Sequence, residues 1–159
     1  MPKKKGIIVC GYPCIGKSSI AEKSPLYIDL ESSCFTKSYP YWYIDYCDTA
    51  ISLAKQGRIV FVSTHSDVID FLEQNYKEDI YVCVFVPQLK WWDLWISRAK
   101  IRFDKDQTRK NSAALERIRT HFRDDIEKIL TCGLPIIMPA TLSYNLADYI
   151  ELIYKEVCQ

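Results

Sequence analysis

The sequence predicts an α/β fold, a three-layer sandwich built on a five-stranded parallel sheet. Three observations lead to this prediction. Three short apolar runs are continuous rather than alternating, as in strands that are buried on both faces of a parallel sheet. Helical segments separate the strand segments along the whole chain. The 159 residues suffice for one domain with a single core, but not for two ordinary domains.

Strand character is strong in three segments and weaker in two. The strong segments are Gly6–Cys10, Arg58–Ser63 and Asp79–Val86, and the weaker ones are Leu26–Leu30 and Leu134–Met138. Because strands and helices alternate, right-handed crossovers are expected to bring all five strands into one sheet.

Six segments between the strands have helical patterns. They are Lys17–Lys23, Tyr41–Gln56, Asp67–Tyr76, Gln88–Phe103, Ser112–Thr131 and Tyr144–Val157. The most polar stretch, Asp104–Ser112, lies between two of them, and we expect it to form a mobile excursion on the surface. Since no linker is long enough to separate domains, we predict one domain over residues 1–159.

Charge and cysteine content limit the classes of partner and compartment. The 21 Lys and Arg residues nearly balance the 20 Asp and Glu residues, so the charge does not indicate a nucleic-acid partner, although it leaves one open. The seven cysteines are scattered and form no close pairs of the kind that metal or redox sites use. No apolar run approaches a membrane span or the core of a signal peptide. We therefore expect a cytoplasmic protein with no membrane partner.

A glycine-rich segment lies between the first predicted strand and the first predicted helix. Its residues are Gly11, Tyr12, Pro13, Cys14, Ile15, Gly16, Lys17 and Ser18. They match the pattern G-x-x-x-x-G-K-[ST] at every position, and the flanking strand and helix supply the context that this pattern requires. The alternative is an accidental glycine loop in an α/β protein. The match predicts that this segment, with the adjoining Ser19, binds phosphate groups.

Each residue type in the pattern has a physical role. Glycines let backbone N–H groups turn inward around phosphates, and a helix that begins at Lys17 presents its positive end to them. Lys17 is expected to reach the β and γ phosphates, and Ser18 to supply a hydroxyl oxygen to Mg2+. The predicted ligands are therefore ATP or GTP together with Mg2+.

The segment Gly11–Ser18 has the form Gly-x-Pro-x-x-Gly-Lys-Ser. In this form it resembles the small-molecule and nucleotide kinase branch of the P-loop proteins, which includes gluconate, shikimate, polynucleotide and nucleoside monophosphate kinases. The resemblance implies a sheet in the order 2-3-1-4-5 and a lid at about residues 98–112. It also implies transfer of a phosphoryl group from the nucleotide to a small-molecule, nucleoside or nucleotide acceptor.

Two acidic residues follow the second predicted strand, at the edge of the sheet where open α/β folds bind ligands. Asp29 and Glu31 share one face if the strand continues through them. Related kinases often carry an aspartate here that accepts the proton of the attacking hydroxyl or holds Mg2+ through water. By this likeness Asp29 is the first candidate and Glu31 the second, and a solvated strand end is the alternative.

The third predicted strand ends without an acidic residue. Many P-loop proteins have an aspartate there that assists Mg2+, whereas this chain has Ser63 and Thr64. The difference shifts the metal-assisting role to Asp29 or Glu31 and disfavours a motor or switch GTPase.

The helix before the polar stretch carries two tryptophans and two arginines near one stripe. They are Trp91, Trp95, Arg98 and Arg102. With Arg109 and Lys110 farther on, this arrangement is similar to the lid of small P-loop kinases, whose arginines neutralise charge on the transferred phosphoryl group. The alternative is an amphipathic helix with its tryptophans in the core and its arginines solvated.

Three weaker features complete the sequence prediction. The aromatic segment Tyr39–Tyr43 with Tyr46 occupies the place where related kinases bind the acceptor, and it either stacks on a base or packs in the core. His65 either contacts substrate or, like its neighbours Thr64 and Ser66, caps the next helix. Pro139–Thr141 follows the last strand, where the adenine ring commonly lies in this fold.

The expected activity is thus phosphoryl transfer, with Lys17, Asp29 and the lid arginines as catalytic residues. Two alternatives remain open from the sequence. One is a nucleotide-binding and slowly hydrolysing regulatory module, and the other is a kinase of nucleic-acid 5′ ends.

Overall fold

The five predicted strands form one sheet in which every neighbouring pair is parallel. The structure is a computed structural model, and it describes residues 2–75 and 78–159. The strands are β1 (Gly6–Gly11), β2 (Tyr27–Asp29), β3 (Ile59–Val62), β4 (Ile80–Phe85) and β5 (Ile136–Ile137). Their order in the sheet is β2-β3-β1-β4-β5, which confirms the predicted topology and fold class.

Helices connect these strands. They are α1 (Lys17–Ala21), α2 (Trp42–Lys55), α3 (Ser66–Asn75), α4 (Trp92–Lys105), α5 (Arg109–Ile129) and α6 (Leu146–Cys158). Short 3-10 turns at Ser32–Cys34 and Leu89–Trp91 precede α2 and α4. The end predicted for the third helix, Tyr76, lies outside the described residues.

The central strands are buried on both faces, as their continuous apolar sequences predict. Every residue of β1 and of β3 is buried. In the register of the sheet, Ile8 lies between Val60 on one side and Val82 on the other. Full burial of one such side chain contributes roughly 1.5–3 kcal/mol, so these three strands form the stable centre that holds the connecting loops in place.

The polar stretch between α4 and α5 differs from the prediction. Helix α4 continues to Lys105 and α5 already begins at Arg109, so the predicted excursion over Asp104–Ser112 is wrong in extent. The Thr108 hydroxyl caps α5 by accepting a hydrogen bond from the Asn111 backbone N–H at 3.1 Å. The buried side chain of Asn111 also donates to the Asp106 carbonyl at 2.8 Å. The two helices therefore meet in a short hydrogen-bonded turn.

Two further features concern the cysteines and the lengths of the helices. All seven cysteines lie in the described residues, and all seven are unpaired. Over the same residues, no helix combines the length and the apolar character needed to cross a bilayer.

Candidate functional site

The Gly11–Ser18 loop leaves the carboxyl end of β1 in a tightly curled conformation. A Cβ atom on Gly11 would lie only 2.6 Å from the Ile15 side chain and 2.8 Å from that of Lys17. Two loop residues, Cys14 at φ +70° and Gly16 at φ +112°, adopt left-handed backbone conformations. Such a conformation at a residue other than glycine costs on the order of 1–3 kcal/mol and is concentrated at functional sites.

The Lys17 side chain folds back over this loop. Its Nζ atom donates a hydrogen bond to the Gly11 carbonyl at 2.8 Å. Burial lowers the pKa of Lys17, while the negative charges of Asp29 and Glu31 oppose that shift. Helix α1, which begins at Lys17, has only five residues, so the loop itself must provide most of the positive potential expected from the sequence.

Asp29 lies at the end of β2, directly beside the start of α1. The Ser18 hydroxyl donates a hydrogen bond to Asp29 Oδ2 at 3.2 Å. Burial raises the pKa of Asp29, Lys17 opposes this effect, and Glu31 adds to it. A hydroxyl and a carboxylate at this distance suit Mg2+, which takes one or two protein oxygens and completes its octahedron with phosphate oxygens and water. The predicted pair of magnesium ligands, Ser18 and Asp29, therefore fits the ion.

Glu31, the second acidic candidate, is turned toward helix α5. Its Oε1 atom forms an ion pair with Nζ of Lys110, a residue in the first turn of that helix. This contact satisfies the Glu31 carboxylate from the side of α5, whereas the Asp29 carboxylate contacts the hydroxyl of Ser18. Of the two candidate acids, the geometry therefore favours Asp29 over Glu31, because only the Asp29 carboxylate contacts a residue of the loop.

A buried tyrosine, Tyr46, connects the end of β3 to the end of β2, a contact that was not predicted for the aromatic segment. Tyr46 Oη donates to the Leu30 carbonyl at 2.7 Å and accepts from the Ser63 backbone N–H at 2.9 Å. The tyrosine thus fixes the strand end that carries Asp29 against the strand end that lacks an acid. Burial raises the pKa of Tyr46 further above the physiological range.

His65 lies just beyond this point, immediately before the first residue of α3. Its Nδ1 atom is 2.7 Å from Ser63 Oγ, and its ring packs edge-on against Trp42 at 5.3 Å between centroids. Partial burial, together with the positive charges of Lys37 and Lys17, lowers the pKa of His65, so the ring is neutral near pH 7. A neutral imidazole at the ligand edge can donate or accept one hydrogen bond.

The aromatic segment Tyr39–Tyr43 divides into core and surface residues. Trp42 and Tyr46 are buried, as core packing predicts. Tyr39 and Tyr41 are each 54% exposed, and their rings pack edge-on at 5.8 Å. A stacking surface for a base remains a prediction for this exposed pair.

The cations predicted for the lid occupy two different environments. The Arg98 guanidinium stacks over the Trp95 ring at 4.4 Å and lies 3.4 Å from the Cys14 carbonyl. Arg98 is therefore engaged with the loop backbone. Arg102, one turn farther along α4, and the exposed Arg109 at the start of α5 also face the cleft described next.

One cleft of about 1470 Å³ brings the predicted site residues together. Its wall includes the whole Gly11–Ser18 loop with Ser19, the acids Asp29 and Glu31, and the cations Arg98, Arg102, Arg109 and Lys110. The cleft continues past Ser63, Thr64 and His65 toward α3. The structure thus places residues of four separate sequence segments, those at 11–19, 29–31, 63–65 and 98–110, around a single space.

The segment expected near an adenine ring lies apart from this wall. The carbonyls of Pro139 and Ala140 accept hydrogen bonds from Gln88 Nε2 at 2.8 and 3.2 Å. Among the described residues, the wall of the cleft does not include Pro139–Thr141. An adenine contact there remains a prediction.

Comparison with known proteins adds little to this geometry. No protein-family model matches the chain. No curated protein sequence matches it either. Among solved structures, the chain is similar to a crystal structure described as an uncharacterized protein from Eubacterium ventriosum, with 10% identity, coverage of 97% of this chain and 98% of the other, and a TM-score of 0.45. The function is therefore inferred from the site itself.

Three contacts of the loop were not expected from the sequence. Trp95 Nε1 donates to the Pro13 carbonyl at 2.8 Å, and Tyr144 Oη donates to the Ile15 carbonyl at 2.9 Å. Tyr12, by contrast, turns its ring under α5, where it packs edge-on against Phe122 at 5.7 Å. The first two are single hydrogen bonds between segments far apart in the sequence, and no local pattern indicates them.

Proposed function

We propose that the protein is an ATP-dependent phosphotransferase that uses the Gly11–Ser18 loop and Mg2+. The observation that carries the proposal is the contact between Ser18 and Asp29 at 3.2 Å, at the mouth of a curled glycine-rich loop. It joins a candidate phosphate site, a candidate metal site and a candidate base within one cleft. GTP in place of ATP is an outcome of the test described below.

Different residues of the cleft would have different roles in the reaction. The loop backbone and Lys17 would hold the β and γ phosphates, and Ser18 and Asp29 would hold Mg2+, directly or through water. Mg2+ supplies charge neutralisation between the phosphates when it is bound. Asp29 would accept the proton of an acceptor hydroxyl, since its raised pKa makes it a better base than an ordinary aspartate.

The chemistry of the cleft favours transfer over simple nucleotide binding. A second substrate would occupy the part of the cleft beside the end of β3, whereas the rest of its volume of about 1470 Å³ extends between α3 and α5 as far as Glu73 and Cys132. The end of β3 offers Ser63, Thr64 and neutral His65, which suit hydrogen bonds to an acceptor. The seven unpaired cysteines support a reducing compartment, the cytoplasm, as the place of action.

The decisive experiment is transfer of labelled γ-phosphate from ATP or GTP to a panel of acceptors. The panel contains nucleosides, nucleotides, sugars and nucleic-acid 5′ ends, and a reaction without acceptor measures hydrolysis. We expect Mg2+-dependent transfer to one acceptor class at a rate well above hydrolysis. Nucleotide hydrolysis at the same rate with every acceptor would instead support a regulatory module, and no nucleotide binding would refute both functions.

The lid cations provide a separate prediction. If Arg102 and Arg109 contact the phosphoryl group mainly in the transition state, Arg102→Ala and Arg109→Ala should each lower kcat by about tenfold or more while changing ATP affinity little. Steady-state kinetics and calorimetry measure the two quantities. Arg119→Ala is the matched control, because Arg119 is exposed on α5 outside the wall of the cleft.

Hydrogen exchange tests whether the α4–α5 turn closes. Exchange over residues 98–112 should slow more with a non-hydrolysable ATP analogue and acceptor together than with the analogue alone. Equal exchange in the free, binary and ternary states, with full activity of both arginine variants, would leave these residues as surface charge.

A further inference from the structure

The outer face of the Gly11–Ser18 loop is held by side chains from two other parts of the chain. Three successive loop carbonyls, those of residues 13, 14 and 15, each face a donor. The pairs are Pro13 O with Trp95 Nε1 at 2.8 Å, Cys14 O with Arg98 Nη1 at 3.4 Å, and Ile15 O with Tyr144 Oη at 2.9 Å. We call Trp95, Arg98 and Tyr144 the outer brace.

The members of the outer brace also hold one another in place. The Arg98 guanidinium lies over the Trp95 ring at 4.4 Å and over the Tyr144 ring at 5.7 Å. Its Nη1 atom is 3.3 Å from Tyr144 Oη. Trp95 is fully buried and stacks on Trp91 at 6.2 Å. The donors are therefore held in place by packing and by one another as well as by their contacts with the loop.

Fixing carbonyls on one side of a curled loop fixes N–H groups on the other. In a peptide unit the N–H and C=O bonds point in opposite directions, and left-handed residues such as Cys14 and Gly16 allow successive N–H groups to converge on one side. Without an external hold, each residue of the loop would lose backbone conformational entropy when the loop closes on an anion. The brace removes part of that loss in advance.

We infer that Trp95, Arg98 and Tyr144 are positioning residues that keep the loop in its anion-binding conformation before a nucleotide arrives. The inference deepens the proposed function and rests on it. It also assigns Arg98 a role different from that of Arg102 and Arg109, because its guanidinium is used on the loop backbone.

The brace can be tested with two conservative variants of the full chain. Trp95→Phe and Tyr144→Phe each keep an aromatic ring and delete one donor to the loop. The net value of a neutral hydrogen bond implies that each should weaken binding of inorganic tripolyphosphate by about threefold to tenfold in calorimetry. Tripolyphosphate is the probe because it tests the loop without a base or sugar.

A control exists for each variant. Trp92→Phe deletes an indole donor, since Trp92 Nε1 donates to the Ile118 carbonyl at 3.1 Å in the contact between α4 and α5. Trp92 is 44% exposed and Trp95 is fully buried, so this control accounts for the lost donor, and thermal unfolding of Trp95→Phe measures the effect of the smaller ring in the core. Tyr149→Phe deletes a hydroxyl from a ring that packs on Phe85 at 5.8 Å, much as Tyr144 does at 5.5 Å. We expect both controls to bind tripolyphosphate within about twofold of the unchanged protein.

Two further measurements separate positioning from general destabilisation. Exchange of the backbone N–H groups of residues 14–16 without ligand should be faster in Trp95→Phe and Tyr144→Phe than in the controls. The kcat at saturating ATP should stay close to that of the unchanged protein while KM for ATP rises, because bound nucleotide then orders the loop.

The outcomes distinguish this inference from the proposed function. In one outcome the unchanged protein binds tripolyphosphate, Lys17→Ala weakens that binding, and the Trp95→Phe and Tyr144→Phe variants bind normally. The inferred positioning role of the outer brace is then wrong, while the proposed function stands. Equal losses in the brace variants and their controls would also overturn the brace. If the unchanged protein binds neither tripolyphosphate nor ATP, the proposed function fails first.

Discussion

Replacing Lys17 with alanine is expected to lower the rate of phosphoryl transfer by about a hundredfold or more, as loss of one preorganised electrostatic group typically does. Lys17 Nζ already lies 2.8 Å from the Gly11 carbonyl, at the base of the loop that would surround the phosphates. When the γ-phosphate is transferred, negative charge is redistributed over its oxygens, and an ammonium group beside them lowers the barrier. Steady-state transfer of labelled phosphate measures the effect.

The matched control is Lys23→Ala. Lys23 is an exposed lysine just beyond α1 and outside the cleft, so its removal should leave transfer unchanged. Circular dichroism and thermal unfolding should be similar for both variants, because the hydrogen bond that Lys17 Nζ donates is a single contact with the Gly11 carbonyl at the very end of β1. Unchanged rate and nucleotide affinity in Lys17→Ala would remove the phosphate-binding role of the loop.

The sheet could be predicted from the sequence because its central strands are buried on both faces. Continuous apolar runs at β1, β3 and β4 leave few other structures open to those segments. Strands β2 and β5 lie at the two edges of the sheet and are shorter than predicted, with Tyr27–Asp29 and Ile136–Ile137 in place of five residues each. Edge strands bury less apolar surface, so the residues at which they begin and end are harder to predict from the sequence.

The polar segment between α4 and α5 was predicted as a surface excursion from its composition, but most of it is helical. The segment Arg109–Ser112 is rich in polar residues because three of its four side chains are exposed on the first turn of α5. Polarity alone does not separate an exposed helical turn from a loop. The informative signal was Thr108, a favourable capping residue directly before the helix.

The loop and Asp29 could be predicted from local sequence, but the side chains that hold them in place could not. The Gly11–Ser18 loop and Asp29 lie in segments whose strand, loop and helix are adjacent along the chain. The hydrogen bonds of Tyr46, Trp95 and Tyr144 instead reach backbone carbonyls 16, 82 and 129 residues away. An aromatic residue in an apolar pattern predicts burial, whereas the carbonyl that its polar atom will meet depends on how the whole sheet assembles.

The second large effect is expected for Asp29→Asn, which should reduce transfer by about a hundredfold or more while nucleotide still binds to the loop. The substitution keeps the size of the side chain and an oxygen that can accept the hydrogen bond from Ser18, now at 3.2 Å from Asp29 Oδ2. It removes the negative charge that would hold Mg2+ and accept a proton. Asp48→Asn, at an exposed position of α2 outside the cleft, is the matched control.

If Asp29 is the base, the activity should depend on pH in a defined direction. Burial raises the pKa of Asp29, so kcat/KM of the unchanged protein should fall with decreasing pH at a higher pH than an ordinary aspartate would give. The Asp29→Asn variant should lack that acid limb in its residual activity. Glu31→Gln should keep the limb but move it to lower pH, because the Glu31 carboxylate is paired with Lys110 and its negative charge adds to the raised pKa of Asp29. Full activity in Asp29→Asn, together with its loss in Glu31→Gln, would transfer the role to Glu31.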